Sequence, residues 1–380
     1  MMFSADEKLN SKLNKRIADG SYRKLTTPHN IVDFCSNDYL GFAKSGSLKA
    51  KILRFQKYLE DQLTVGSTGS RLISGNSALI ESLETFIAAH HQAEAGLIFN
   101  SGFDANLGFF SCVPQRGDTV LFDELVHASI RDGVRLSFAE SISFRHNDVD
   151  HLKELLANAQ GTIYIAVESL YSMNGDFAPL KQMSSLATEF KANLVVDEAH
   201  ATGIFGAAGK GIVCDLQLED HVFARVLTFG KALGCHGAIV IGTKLLRDFL
   251  INFSRPFIYT TALPFHSLVS IKSAYDLLSE SEDTINNLFL NITLYKKLIS
   301  QIKAEVNTIE STSQIQTVIV SGNEKVKLLA KNIQEHGFDV RPIMSPTVPV
   351  GTERLRICIH AFNTEDEIAR LVKAIEENLN

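Results

Sequence analysis

From about residue 95 to 245, short apolar runs alternate with stretches of helical periodicity, and this alternation limits the fold more than any other feature. The runs are AGLIFN, DTVLFD, SISFRH, TIYIAVES, NLVVDEAH, RVLTFG and AIVIG. Most are apolar throughout rather than at every second position, so they read as strands buried on both faces. Such strands belong to mainly parallel sheets whose crossover helices cover both sides. Residues 148–158 and 179–191 have the pattern of two such helices. The expectation is an α/β fold. In sheets of this kind the ligand lies at the carboxyl ends of the strands. The polar residues that close the runs therefore become candidates: Glu168-Ser169, Asp197 through His200, and Thr228 through Lys231.

The flanks are read as follows. Residues 4–19 and 47–63 have helical periodicity, and "IVDFCSNDYLGF" (31–42) reads as a short strand ending in a polar turn. "GSTGSRLISGN" (66–76) is a loop of small residues. After "RPFIYTTALPFHS" (255–267) a helical region runs to about 305, and the end of the chain reads strand, helix, strand, helix. At 380 residues, one large and one smaller domain is the natural expectation. The boundaries predicted are 1–45 for an N-terminal helix and short strand, 46–275 for a large domain, and 276–380 for a small C-terminal α/β domain.

A net charge of −6 argues against a basic nucleic-acid surface. Five cysteines, at 35, 112, 214, 235 and 358, are odd in number and form no C-x-x-C pair. They suit a reducing compartment and give no zinc signature, so no metal is expected. The N-terminal stretch alternates charges and lacks the apolar core of a signal peptide. No apolar run approaches the roughly 20 residues a membrane span needs. A cytoplasmic location is expected.

The candidate residues suggest one chemistry. Asp197 ends an apolar strand, where a carboxylate is costly unless it meets a cation or strong donors. Alone, it suits a capped strand end equally well. D-E-A-H also occurs in helicase-type NTPases, but the phosphate loop they require, G-x-x-x-x-G-K-[ST], is absent. Lys231 lies in "TFGKALGCHG", a turn between two apolar runs, with Gly230, Gly234 and Gly237 around it. An aspartate can pair with a pyridine nitrogen, a lysine can form a Schiff base, and a loop such as Ser101-Gly102-Phe103 can hold a phosphate. Pyridoxal phosphate needs that set.

At this point a family resemblance is visible. SNDYLGF (36–42), GSTGSRLISGN, SGFDAN (101–106), DELVHASI (123–130), ESLYSMNGDFAPL (168–180), VVDEAHATGIFGAAGKG (195–211), TFGKALG and PTVPVGTERLRI (346–357) occur in the order found in the α-oxoamine synthases. These are pyridoxal-phosphate enzymes of fold type I, the aspartate-aminotransferase-like fold. Their large domain holds a mostly parallel sheet, and a small α/β domain follows.

The resemblance implies the following roles. Lys231 would be the Schiff-base lysine, Asp197 the partner of the ring nitrogen, and His200 that of the ring hydroxyl. His127 would stack on the ring and Ser172 would lie near its oxygen. Ser101, Gly102, Phe103 and Thr228 would form the phosphate cup. Thr260 and Thr261 would reach the cup of a second subunit, implying a homodimer with shared sites. Arg356 would hold the amino-acid carboxylate, Asn37 would lie near the substrate, and Arg23 loosely matches an arginine near the acyl chain. The activity implied is decarboxylative condensation of an amino acid with an acyl thioester. The nearest likeness is to members joining L-alanine to a pimeloyl group on coenzyme A or acyl carrier protein. Members making 2-amino-3-ketobutyrate, 5-aminolevulinate, sphingoid precursors or signalling amino ketones are the alternatives. One departure is Ile80, where many relatives carry a histidine after SGN or SGT.

Overall fold

The computed structural model describes residues 4–25, 27, 31–59, 64–303 and 306–379. The far end of the predicted helix 47–63 lies outside the described residues; the helix itself spans Gly46–Tyr58. In chain order the strands are β1 (Val32–Asp33), β2 (Ala95–Phe99), β3 (Thr119–Asp123), β4 (Glu140–Phe144), β5 (Ile163–Glu168), β6 (Asn193–Asp197), β7 (Ala224–Thr228), β8 (Ala238–Gly242), β9 (Ile315–Ile319), β10 (Phe338–Asp339), β11 (Arg341–Ile343) and β12 (Arg354–Cys358).

The chain divides into two units. The larger holds residues 40–172 and 177–285; the smaller holds 1–39, 173–176 and 286–380.

In the larger unit, seven strands form one sheet in the order β2-β8-β7-β6-β5-β3-β4. Every pairing from β7 to β4 is parallel, whereas β8 is antiparallel to both β7 and β2. The reason is the connection: the link from Thr228 to Ala238 is too short for the crossover of a dozen or more residues that a parallel step requires. β5 and β7 are buried along their whole length. Alternate residues of β5 face two different cores. Tyr164 and Ala166 join Phe109, Phe110 and Ile130 on one side, and Ile163, Ile165 and Val167 join Leu152, Met183 and Val213 on the other. β4 closes the sheet as an edge, and its exposed Glu140, Ser141 and Ser143 leave no apolar strip for another strand to pair with.

Local signals set the helix starts. Ser77 and Ser101 cap the helices Ala78–His90 and Gly102–Phe110 by accepting N–H bonds from Ile80 and Asp104. Ile80 is buried within the first turn of its helix, so its place is apolar core.

In the smaller unit, β11-β12-β9 form an antiparallel sheet, and β1 pairs in parallel with β10. That pairing ties the N-terminal segment to the C-terminal part of the chain. A full capping box at Thr364 and Glu367 starts the helix Glu365–Asn378. No helix among the described residues is long and apolar enough to cross a membrane.

Candidate active site

The carboxyl ends of the parallel strands of the larger sheet place three of the predicted residues, Thr228, Asp197 and Glu168, in one row. Phe99, Ala238 and Thr228 lie side by side in register across β2, β8 and β7. Val226, Asp197 and Glu168 continue the row across β7, β6 and β5. The chain leaves β2 through Asn100 and Ser101 into a nine-residue helix. A helix leaves its first N–H groups without internal partners, and here those belong to Gly102 and Phe103. Gly102 faces Thr228: a Cβ placed on it would lie 3.8 Å from the threonine Oγ1.

Lys231 rides on the β7–β8 turn, which hydrogen bonds close tightly. Phe229 N–H donates to Gly237 O at 2.9 Å, Cys235 N–H to Phe229 O at 2.7 Å, and Gly234 N–H to Lys231 O at 2.8 Å. Thr228 Oγ1 donates to Gly237 O at 3.2 Å and accepts from Gly230 N–H at 3.3 Å. Gly234 has φ +61, and a Cβ there would lie 2.3 Å from Ala43 N. Glycine is thus demanded both by conformation and by contact.

Asp197 is buried, and each of its oxygens has an N–H donor. Ala199 N–H donates to Oδ1 at 2.8 Å and Asn106 Nδ2 to Oδ2 at 2.7 Å. His127 caps the helix Ala128–Leu136, and its Nδ1 accepts from Ser129. Burial holds the His127 ring below its ordinary value; Asp197 and Asp132 pull it up, and Lys231 pushes it down. Phe103 stands edge-on to His127 at 6.5 Å between ring centroids. Glu168, fully buried beside Asp197, is held well above the usual carboxylate range by burial and then by the Asp197 charge. Lys231 and main-chain N–H groups of His127 and Ser172 oppose that shift. Its Oε2 accepts from Ser172 N–H at 3.3 Å, and its Oε1 has no hydrogen-bond partner among the described residues. His200 is buried in the turn after β6. Lys231, His127, Asp197 and Glu168 therefore lie within one another's electrostatic reach.

Other predicted residues fall elsewhere. Asn100 Nδ2 donates to Thr260 Oγ1 at 3.1 Å and to Thr261 O at 2.9 Å, so both threonines border the strand end that leads into Ser101 of their own chain. Arg356 and Asn37 belong to the smaller unit. There Arg356 is buried, and its Nη2 donates to Asn37 Oδ1 at 3.0 Å and Tyr39 Oη at 3.4 Å. Arg23 is exposed and donates to Thr347 Oγ1 at 3.2 Å.

The donor set suits pyridoxal phosphate. Helix N–H groups and a threonine hydroxyl match a phosphate, an aspartate anchored at both oxygens matches a protonated ring nitrogen, and a lysine in a glycine-rich turn matches an aldehyde.

Comparisons with known proteins agree. The family model for aminotransferase class I and II matches residues 29–375. The chain belongs to this family. It is 42% identical to the 8-amino-7-oxononanoate synthase of Emericella nidulans, over 97% of this chain and 94% of that protein. Its fold matches the serine palmitoyltransferase of S. paucimobilis, solved with a bound PLP-myriocin aldimine, at TM-score 0.88 and 24% identity. That match covers 100% of this chain and 98% of the other. The 8-amino-7-oxononanoate synthase of Francisella tularensis matches at TM-score 0.78 and 27% identity, covering 91% and 97%. Within its family the chain is an α-oxoamine synthase, a fold-type-I acyltransferase that works with pyridoxal phosphate.

Sequence reasoning named Glu168 as a strand-end candidate without giving it a role, and it passed over Asn106 and Ser129, although both lie inside quoted motifs. A hydroxyl two residues after His127, at a helix start, was the available signal.

Proposed function

We propose that the enzyme condenses L-alanine with a pimeloyl thioester, carried by coenzyme A or acyl carrier protein. The products are 8-amino-7-oxononanoate, carbon dioxide and the free thiol, as in biotin biosynthesis. What carries this reading is the 42% identity, along 97% of the chain, to a relative named for that product. The strand-end cluster of Lys231, Asp197 and His127 supplies the matching chemistry.

When bound, pyridoxal phosphate supplies an aldehyde for an amine and a cationic ring that draws electrons from the substrate's α-carbon. Asp197, His127, His200, Ser172, Lys231, Thr228, Ser101 and the N–H groups of Gly102 and Phe103 would hold it. Lys231 Nζ is the base for the α-proton and returns a proton after carbon dioxide leaves. Asp197, oriented by N–H donors at both of its oxygens, would face the ring nitrogen and favour its protonated form. Arg356 holds the substrate carboxylate with its planar fork, with Asn37 beside it. Arg23 would contact the acyl chain. Thr260 and Thr261 would serve the site of a second copy, making the working form a homodimer. A reducing cytoplasm suits its free cysteines.

The test is thiol release from a panel of acyl thioesters, acetyl to palmitoyl, with alanine, glycine or serine. Release with alanine and a pimeloyl thioester alone supports the reading. Preference for another pair refutes the substrate assignment. Lys231→Ala should abolish release while leaving the folded protein intact; normal turnover in that variant refutes the site.

A further inference from the structure

Asp197 and His127 are linked by two side chains to which no role has so far been given. The Asn106 amide nitrogen donates to Asp197 Oδ2 at 2.7 Å and to Ser129 Oγ at 3.1 Å. The amide orientation is fixed, because a flip would turn its carbonyl oxygen onto a carboxylate oxygen, and neither can donate. Ser129 Oγ therefore receives one hydrogen and has its own left to give. It gives it to His127 Nδ1, 2.7 Å away. The Ser129 main-chain N–H points to the same nitrogen at 3.2 Å. Two donors converge on Nδ1, so Nδ1 is an acceptor and the ring proton sits on Nε2. Asn106 and Ser129 are almost wholly buried, so water does not compete for these bonds.

We propose that Asn106 and Ser129 are positioning residues that join Asp197 and His127 in one relay, fixing His127 as the Nε2–H tautomer. The relay orders both side chains before any ligand arrives. It presents an N–H of fixed direction on one side of the site and a carboxylate of fixed orientation on the other. This deepens the proposed function, since it rests on His127 and Asp197 facing the cofactor.

The experiment uses full-length protein with 15N-labelled histidine rings, with and without pyridoxal phosphate. His127 is recognised among the twelve histidines by the signal lost in His127→Gln. Three outcomes are expected. Wild-type protein shows Nε2–H and unprotonated Nδ1 even without cofactor. Ser129→Ala moves His127 to a mixture of tautomers, and Ser129→Thr, which keeps the hydroxyl, restores the single form. Asn106→Leu weakens cofactor binding by about 10- to 100-fold, the usual effect of losing a hydrogen bond to a charged group. An Nδ1–H tautomer in wild-type protein overturns the proposal without any variant having to fold. So does a Ser129→Ala protein whose tautomer and cofactor affinity both match wild type. Wild-type protein that binds no pyridoxal phosphate would sink the site assignment instead, and the cofactor-free spectrum would still decide the relay.

Discussion

Gly234→Ala tests whether the Lys231 turn is held as rigidly as its contacts imply. The residue has φ +61, which costs a residue with a Cβ about 1–2 kcal/mol. The new Cβ would also meet three backbone atoms: Ala43 N at 2.3 Å, Phe42 C at 2.7 Å and Ala43 Cα at 2.9 Å. No side chain can rotate away, so the turn itself must retreat by about 1 Å to restore ordinary contact, at a further cost of about 1–3 kcal/mol. The predicted loss is about 2–5 kcal/mol of stability. Gly234 N–H donates to the Lys231 carbonyl, so the retreat carries the lysine with it. A displacement of that size costs roughly 100-fold in rate. Urea unfolding and thiol release measure the two effects separately. Gly46→Ala is the control: its Cβ meets nothing within 4 Å at the start of a helix, and the change should stay within about 1 kcal/mol. A Gly234→Ala enzyme with wild-type midpoint and wild-type rate would refute the argument.

Arg356→Lys should raise the KM for the amino acid at least 10-fold with a smaller change in kcat, because an ammonium cannot reproduce the planar fork; steady-state kinetics with the acyl donor saturating will show it. Glu84 accepts from Arg71 at 2.7 Å, Arg247 at 3.3 Å and Ile98 N–H at 2.9 Å while almost wholly buried. Glu84→Gln should therefore cost about 3–5 kcal/mol, read from the urea midpoint, by leaving the two guanidinium groups without their shared anion. His91 is fully buried, its Nδ1 bonded to Lys210 O and its Nε2 to Tyr275 Oη, each at 2.9 Å. Burial, with His90 next, pushes its pKa from 6.5 down to about 3. Below pH 6.5 the unfolded chain takes up a proton that the folded chain refuses. Stability is lost as the pH falls from 6.5 towards 4, by about 3 kcal/mol. His91→Gln should flatten the stability-against-pH curve between pH 6.5 and 4 relative to wild type.

Six of the seven strands of the large sheet could be read from the sequence because each is a short, largely apolar run, and burial on both faces allows little else; the edge strand β4 (ESISF) showed instead by its alternation of polar and apolar residues. The reversed direction of β8 could also have been inferred, since the short link between Thr228 and Ala238, which carries Lys231, leaves no room for a crossover helix. The β1–β10 pairing could not. It joins Val32 to Phe338 through two-residue strands that carry no periodic signal. The same limit hid the relay: Asn106 and Asp197 are 91 positions apart, and nothing local in FDAN indicates that its asparagine turns toward a strand end. The helix start at Ser101, which we propose as the phosphate loop, was legible for the opposite reason. Ser101, Gly102 and Asp104 form a local start signal whose geometry depends only on neighbours in sequence. Thr260 and Thr261 are intermediate: their motif could be recognised, while their bonds to Asn100 needed the fold.

Among the described residues, β2 is an edge strand whose sole sheet neighbour is β8, which follows it by about 140 residues. As the chain emerges from the ribosome, β3 to β7 can assemble while β2 stays unpaired. Its unsatisfied N–H and C=O groups are exposed for several seconds at ordinary synthesis rates. Gly102 and Thr228, the two sides of the proposed phosphate cup, meet only when Ala238–Gly242 enters between their strands. Cofactor affinity should therefore appear late and abruptly in synthesis, and a nascent chain stalled before residue 238 should capture no pyridoxal phosphate however well its other strands have folded.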